Sequence, residues 1–222
     1  MNQTEAVLFD MDGVIVDSER YWIQQERDHI FPETVEGDIT PEETTGMNVE
    51  DIYDFLDAEF ETLVSKAEFL GRYDTAASHI YREEVALMEG FRDLVASLRA
   101  AGVKVALVSS SKHDWIEMVL DRFDLHEAFD LVVSAEDIDG ASKPEPDIFL
   151  HAASRLSVEP SACVVVEDST HGVQAAVAAG MYCIGYAPDS PGQNLTAADD
   201  VANGPADLKE KLLGRTAGCR GR

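Results

Sequence analysis

The stretch that most limits how this chain can fold is Ala6-Val7-Leu8-Phe9-Asp10-Met11-Asp12-Gly13, in which four apolar residues run straight into two carboxylates and a glycine. A short unbroken apolar run is the pattern of a strand buried on both faces. The acids then emerge at its carboxyl end. In extended chain, side chains at i and i+2 share a face roughly 6–7 Å apart, so Asp10 and Asp12 can serve one metal ion or one phosphoryl group. Gly13 lets the backbone turn tightly and approach a ligand with no Cβ in the way. Taken alone, the same residues also describe a strand that ends on a solvated turn. Three later stretches decide between these readings.

After Asp17 the period changes from strand to helix. Ser18 is placed to cap a helix running to about Ile30, where Phe31-Pro32 stops it. Thr40-Pro41-Glu42-Glu43 has the form of a capping box with proline at the first helical position. Asn48 opens a helix with Ile52, Phe55, Leu56 and Phe60 at helical spacing. A long helical stretch covers about Thr62 to Met88, with an interruption expected near Gly71. Residues 18–89 therefore read as an all-helical insert with no strand signal. From Gly90 the chain alternates helix and strand, with further strands over Val103–Val108, Leu131–Val133, Ala162–Val166 and Met181–Tyr186. Such alternation implies an α/β fold, a Rossmann-like parallel sheet with helices on both faces. The expected organisation is a core of residues 1–17 and 90–213, a helical cap over 18–89, and a flexible tail over 214–222.

Forty-three acidic residues against 17 basic ones give a formal charge of −26, with six lysines against eleven arginines. The acids are spread along the chain. Such a surface repels itself in dilute buffer and is tolerated when salt shortens the Debye length to about 3 Å at 1 M, which is a halophilic pattern. It argues against nucleic acid as a partner, because a phosphate backbone needs a basic footprint. No run reaches the roughly 18 apolar residues of a membrane span, and no signal peptide is visible, so a cytoplasmic protein is expected. Cys163, Cys183 and Cys219 form no metal pattern and fit a reducing compartment; the first two lie in apolar strands and read as inert core.

Four strand ends or loops carry polar groups: Asp10 with Asp12, Ser109 with Ser110, Lys143 between Ser142 and Pro144, and Glu167 with Asp168. Singly, the serines read as a helix cap, the lysine as a solvated loop residue and the acids as turn chemistry. In a parallel α/β sheet, however, ligands bind outside the carboxyl ends of the strands at a topological switch point, and all four groups lie where that crevice collects them. The chemistry they suggest is phosphoryl transfer. Asp10 is the nucleophile, forming an aspartyl-phosphate. Asp12 is the acid and base, which requires a raised pKa of the kind a neighbouring carboxylate provides. Asp10, Glu167 and Asp168 offer oxygen ligands to Mg²⁺. The phosphate is held by Asp12, Gly13, Ser109, Ser110 and Lys143.

Asp10-Met11-Asp12-Gly13-Val14-Ile15-Val16-Asp17-Ser18-Glu19 resembles the first motif of the haloacid dehalogenase-like (HAD) hydrolase superfamily. Ser109, Lys143 within Ser-Lys-Pro-Glu-Pro, and Glu167-Asp168-Ser169 resemble its second, third and fourth motifs. The insert is similar to the helical cap of the subgroup that contains beta-phosphoglucomutase and phosphoglycolate phosphatase. The resemblance implies the roles given above, and adds the Asp12 backbone carbonyl as a metal ligand. The second aspartate implies phosphate-ester chemistry. Where the mutases carry a histidine and an arginine, this chain has Trp22 and Val49, which favours a phosphatase acting on a small phosphorylated metabolite such as a sugar phosphate or phosphoglycolate. The alternatives are a beta-phosphoglucomutase-like hexose-phosphate mutase and a catalytically silent binding member. A monomer or weak homo-oligomer is expected. Trp22, Gly46, Met47 and Asn48 are the cap residues expected to face the site, while His171 reads as a loop or helix-start residue, not a ligand.

Overall fold

The computed structural model describes residues 4–188 and 193–216. Its strands are β1 (Ala6–Phe9), β2 (Val35–Glu36), β3 (Glu61–Thr62), β4 (Lys104–Ser109), β5 (Leu131–Ser134), β6 (Cys163–Glu167), β7 (Tyr182–Tyr186) and β8 (Asp200–Ala202). The main helices are α1 (Glu19–Gln25), α2 (Val49–Glu59), α3 (Lys66–His79), α4 (Phe91–Ala100), α5 (His113–Phe123), α6 (Asp147–Leu156), α7 (Thr170–Ala178) and α8 (Pro205–Thr216).

Six strands form one parallel sheet in the order β5-β4-β1-β6-β7-β8. The chain leaves β1 for β4 on one side and later returns to β6 on the other, so the switch point falls at β1. Phe9 pairs in register with both Leu107 and Val166, which brings Asp10, Ser109 and Glu167 to one end of the sheet. Burial follows the two-residue period of the strands. Val7, Phe9, Val105, Leu107, Val164 and Val166 face one apolar layer, shared with Phe91 and Leu94 of α4 and Ile116 and Val119 of α5. Leu8, Ala106, Val108, Val165 and Cys183 face the other, shared with Phe149 of α6 and Val173 and Ala176 of α7. That double burial is why β1 is apolar at every position. Each such side chain contributes on the order of 1.5–3 kcal/mol.

The sixth strand, β8, was not foreseen: its three residues, Asp-Val-Ala, are too few for a periodic signal and need the edge of β7 to pair with. The segment between α1 and α3 adds a two-residue antiparallel ladder, β2 with β3, to the helices expected there. Gly71 lies within α3 and does not break it; the helix instead widens to a π-helical turn over Ile80–Glu84. Gly214 to Thr216 form the last turn of α8, so the expected tail starts later; residues 217–222, Cys219 among them, lie outside the described residues. Two capping expectations are met: Asn48 accepts from Asp51 N at 2.9 Å, and Thr40 with Glu43 forms its capping box. Ser18 makes no capping bond. Its hydroxyl goes to Asp12. The apolar layer over Phe9 continues through Trp115 and Trp22 into Tyr73, Phe69 and Leu56 of the inserted helices, so these helices rest on the sheet end that carries the acids. Among the described residues no helix is long and apolar enough to cross a membrane.

Candidate active site

The backbone turns sharply after β1. The amides of Ile15 and Val16 both return to Met11 O, at 2.9 and 3.1 Å, and Gly13 takes a φ of +70°. A Cβ there would lie 1.8 Å from Asp168 Oδ2. Glycine is therefore required twice over, by its backbone conformation and by the closeness of that carboxylate.

Lys143, only 3% exposed, donates from Nζ to Asp10 Oδ1 and to Glu167 Oε1, both at 2.6 Å. Burial alone would depress this ammonium, but Asp10 and Glu167 more than offset it and hold the pKa above its ordinary range. Burial pushes the Asp10 carboxyl up to about 8; Lys143 pulls it down, while Glu167 and Asp12 push it further up. Glu167 is fixed at its other oxygen, which accepts from Ser169 N at 3.2 Å and Ser169 Oγ at 3.0 Å. Asp12 accepts from three hydroxyls: Ser18 Oγ at 2.5 Å, Tyr81 Oη at 2.7 Å and Ser111 Oγ at 2.9 Å. Burial raises its pKa, and these three hydrogen bonds work against that rise. Asp168 is buried and its Oδ2 has no hydrogen-bond partner. Burial, and then the carboxylates Glu19, Glu167, Asp10 and Asp12, push it well above the ordinary range.

Ligand atoms of Asp10, Glu167 and Asp168 all lie within 4.8 Å of one another. Hard carboxylate oxygens, one of them buried and unsatisfied, make a donor set suited to a hard divalent cation such as Mg²⁺. The residues present fit that ion.

The sheet thus brings together Asp10, Asp12, Gly13, Ser109, Lys143, Glu167 and Asp168. Ser109 is buried against the cavity and accepts from Ser111 N at 3.0 Å. Ser110 also lines the cavity, with its hydroxyl donating to Gly46 O of the inserted segment at 3.0 Å. Trp22, Gly46 and Met47 face the cavity as expected. Asn48 does not: its side chain is taken up by Asp51 and by Ser142 of the lysine loop. Gly46 passes so close to the core that a Cβ would sit 2.7 Å from Ser169 Oγ. His171, on the first turn of α7, meets Thr45 O at 2.9 Å through Nδ1.

Several lining residues carried no usable sequence signal: Glu26, Tyr73, Tyr81, Ser111 and Trp115. Each lies on a helix or loop whose pattern is satisfied without a functional role. Burial drives the Glu26 carboxyl up to about 8, with the Tyr73 hydrogen bond opposing the rise and Glu42 adding to it. The folded protein therefore keeps a proton that the unfolded chain releases near the ordinary 4.5. By linkage, the stability this contributes is intact below about pH 4.5 and is lost as pH rises towards about 8. Glu26→Gln is expected to match the wild-type melting temperature near about pH 5 and to be the more stable protein near about pH 8, by on the order of a few kcal/mol. Thermal melts at the two pH values check this; an equal gap at both would refute the assignment of the proton to Glu26.

The haloacid dehalogenase-like hydrolase family matches residues 7–186. Hexitol phosphatase B of Escherichia coli (strain K12) is 35% identical over 219 residues, covering 96% of this chain and 98% of that protein. The beta-phosphoglucomutase of Bacillus subtilis (strain 168) is 33% identical over 224 residues, covering 94% of this chain and 93% of that protein. In fold, the chain is similar to the crystal structure of beta-phosphoglucomutase from Clostridium difficile, with a TM-score of 0.78 at 24% identity over 97% of this chain and 98% of that one. A parallel α/β sheet with carboxylates gathered at its switch point is the frame of a hydrolase, and this chain belongs to the haloacid dehalogenase-like hydrolase family.

Proposed function

We propose that the protein is a Mg²⁺-dependent phosphatase that hydrolyses a small sugar or polyol phosphomonoester through an aspartyl-phosphate on Asp10. The observation that carries this reading is the buried trio Asp10, Glu167 and Asp168, with its unsatisfied oxygen, set beside the single ammonium of Lys143. Asp10, Glu167 and Asp168 crowd three carboxyls together, against one cationic side chain among the described lining residues. An incoming phosphate dianion meets net repulsion unless a divalent cation offsets it. Asp10, Glu167 and Asp168, with the Asp12 backbone carbonyl, would hold Mg²⁺. When bound, the ion supplies Lewis-acid neutralisation of phosphate charge.

The chain's own groups divide the remaining work. Lys143 occupies Asp10 Oδ1, and among the described residues Asp10 Oδ2 accepts no hydrogen bond, so Oδ2 is the oxygen that attacks phosphorus as the bond to the leaving oxygen breaks. Asp12 gives its proton to that leaving alkoxide, and its raised pKa suits it to hold one. In the second step Asp12 takes a proton from water, which attacks phosphorus and returns the Asp10 carboxylate. Lys143, Ser109 and the Gly13 turn hold the non-reacting phosphate oxygens.

The relationship to a beta-phosphoglucomutase supports a mutase as the second reading. A mutase must also grip the far phosphate of a bisphosphate. Trp22 and Val49 line the cavity, and Lys143 is the one cationic side chain among its described lining residues. Hydrolysis is therefore preferred.

Chelation is expected to remove turnover of a hexitol or hexose phosphate, and added Mg²⁺ to restore it; turnover that persists in EDTA would sink the metal-dependent reading. Rapid formation of a product isomer from glucose 1-phosphate and a bisphosphate primer, ahead of free phosphate, would favour the mutase. The assays span dilute buffer and about 1 M KCl, because salt screens the self-repulsion of a chain of formal charge −26.

A further inference from the structure

The cavity has a second end, away from the carboxylate trio. Glu26, at the end of α1, is 7% exposed and lines the cavity. It has no ion-pair partner among the described residues; the one hydrogen bond it receives comes from Tyr73 Oη, at 2.7 Å. Tyr73 stacks on Trp22 with ring centroids 5.4 Å apart and an interplanar angle of 23°. Trp22 lies 5.6 Å from Trp115 and donates from Nε1 to Tyr81 Oη at 3.0 Å, and Tyr81 in turn donates to Asp12. An unbroken line of aromatic side chains therefore runs from the reacting end of the cavity to Glu26.

A carboxyl buried without a cation costs stability, and an apolar residue of like volume would pack there more cheaply. An acid set in the wall of a cleft in this way is a candidate for ligand recognition. Holding its proton, as burial disposes it to, the carboxyl both donates and accepts, matching a hydroxyl, which also does both. Trp22 and Trp115 line the cavity, and their aromatic surface suits the C–H groups of a sugar or an extended polyol. Among the described residues no cation lines this end, so a second phosphate or a carboxylate on the substrate is not favoured there.

We propose that Glu26, braced by Tyr73 and flanked by Trp22 and Trp115, is the specificity-determining group that recognises a hydroxyl on an uncharged, polyhydroxylated leaving group. This rests on the phosphatase reading for the other end of the cavity, and selects within it: alditol and sugar monophosphates are bound, and phosphoglycolate and bisphosphates are disfavoured. The cavity offers about 80 Å³ to the centres of water-sized spheres, room for several water molecules. The loop of Thr44 to Met47, held by Ser110 and His171, borders this cavity.

The chain's two tryptophans are Trp22 and Trp115, so intrinsic fluorescence reads this cavity directly. In an Asp10→Asn background with Mg²⁺, glucitol 6-phosphate is expected to bind at least about 10-fold more tightly than inorganic phosphate, in line with one or two buried hydrogen bonds. Glu26→Leu, added to that background, should erase most of the difference, and Glu26→Gln, which still donates and accepts, should retain it. If Glu26→Leu does not fold, Glu26→Asp, which withdraws the carboxyl by one methylene, should erase the difference in its place. A preference for glucitol 6-phosphate that survives Glu26→Leu or Glu26→Asp overturns the proposal, as does a parent with no preference. In the Asp10-containing enzyme, kcat/KM for glucitol 6-phosphate should fall at least about 10-fold more than kcat/KM for p-nitrophenyl phosphate on Glu26→Leu, mostly through KM; equal losses would mark Glu26 as structural and also overturn it. Binding with the expected pattern but no turnover would sink the phosphatase reading and leave the recognition role standing.

Discussion

Asp10→Asn is expected to fold with a near-native melting temperature and to lose phosphomonoester turnover by about 10⁴-fold or more, the scale seen when a covalent nucleophile is removed. The fold tolerates the change because asparagine is close in shape and Lys143 keeps Glu167 as a partner at 2.6 Å. Chemistry does not tolerate it, because an amide oxygen cannot form the acyl phosphate. Phosphate release under single-turnover conditions checks the loss, and acid-stable protein-bound ³²P should be absent from the variant. Activity within about 100-fold of wild type would show that Asp10 is not the nucleophile and would shift attention to Asp168, the other buried carboxylate with a free oxygen.

Lys143→Met is expected to damage stability and activity together. Among the described residues the ammonium is the only cation touching Asp10 and Glu167. Removing one partner from a buried ion cluster costs about 3–5 kcal/mol, because the remaining charges stay desolvated and unpaired. With the ammonium gone, the Asp10 carboxyl loses the group that pulls its pKa down, and a folded pKa raised further makes stability fall as pH rises. The deficit in melting temperature should therefore be small near about pH 5 and large near about pH 8. Adding Glu167→Gln should recover part of the stability and none of the turnover. A pH-independent deficit would show that Lys143 acts by packing its stem against Phe149, whose ring its ammonium overlies at 5.2 Å, and not by pairing charge.

The reacting end of the site was legible along the chain because its residues stand at strand ends. Asp10, Ser109 and Glu167 each follow an apolar run that can only be a strand buried on both faces, and the parallel sheet has one edge where such ends meet. Lys143 was legible for a different reason: prolines on either side of Glu145 forbid regular structure, leaving a loop that carries a lone charge. The recognising end was not legible. Glu26 and Tyr73 are separated by 47 positions and both satisfy the helical pattern around them. Ser18 was misread as a cap, since a serine before a helix looks the same whether its hydroxyl turns to the helix or to Asp12. β8 is too short to declare itself without the β7 edge beside it.

By itself, then, the order of apolar runs and the polar residues that close them determined a parallel α/β sheet and the set of acids and the lysine at its strand ends and loops; the strand order that puts the switch point at β1 came from the tertiary structure. Only the tertiary structure decided which side chains of the inserted helices close over that end, that Asp12 is held by Ser18, Tyr81 and Ser111, and that a buried acid waits opposite the reacting carboxylate. The reason is physical. Strand ends are placed by backbone pairing, which a period of two encodes locally, whereas the helices above them are placed by packing, which many sequences satisfy and no local pattern records.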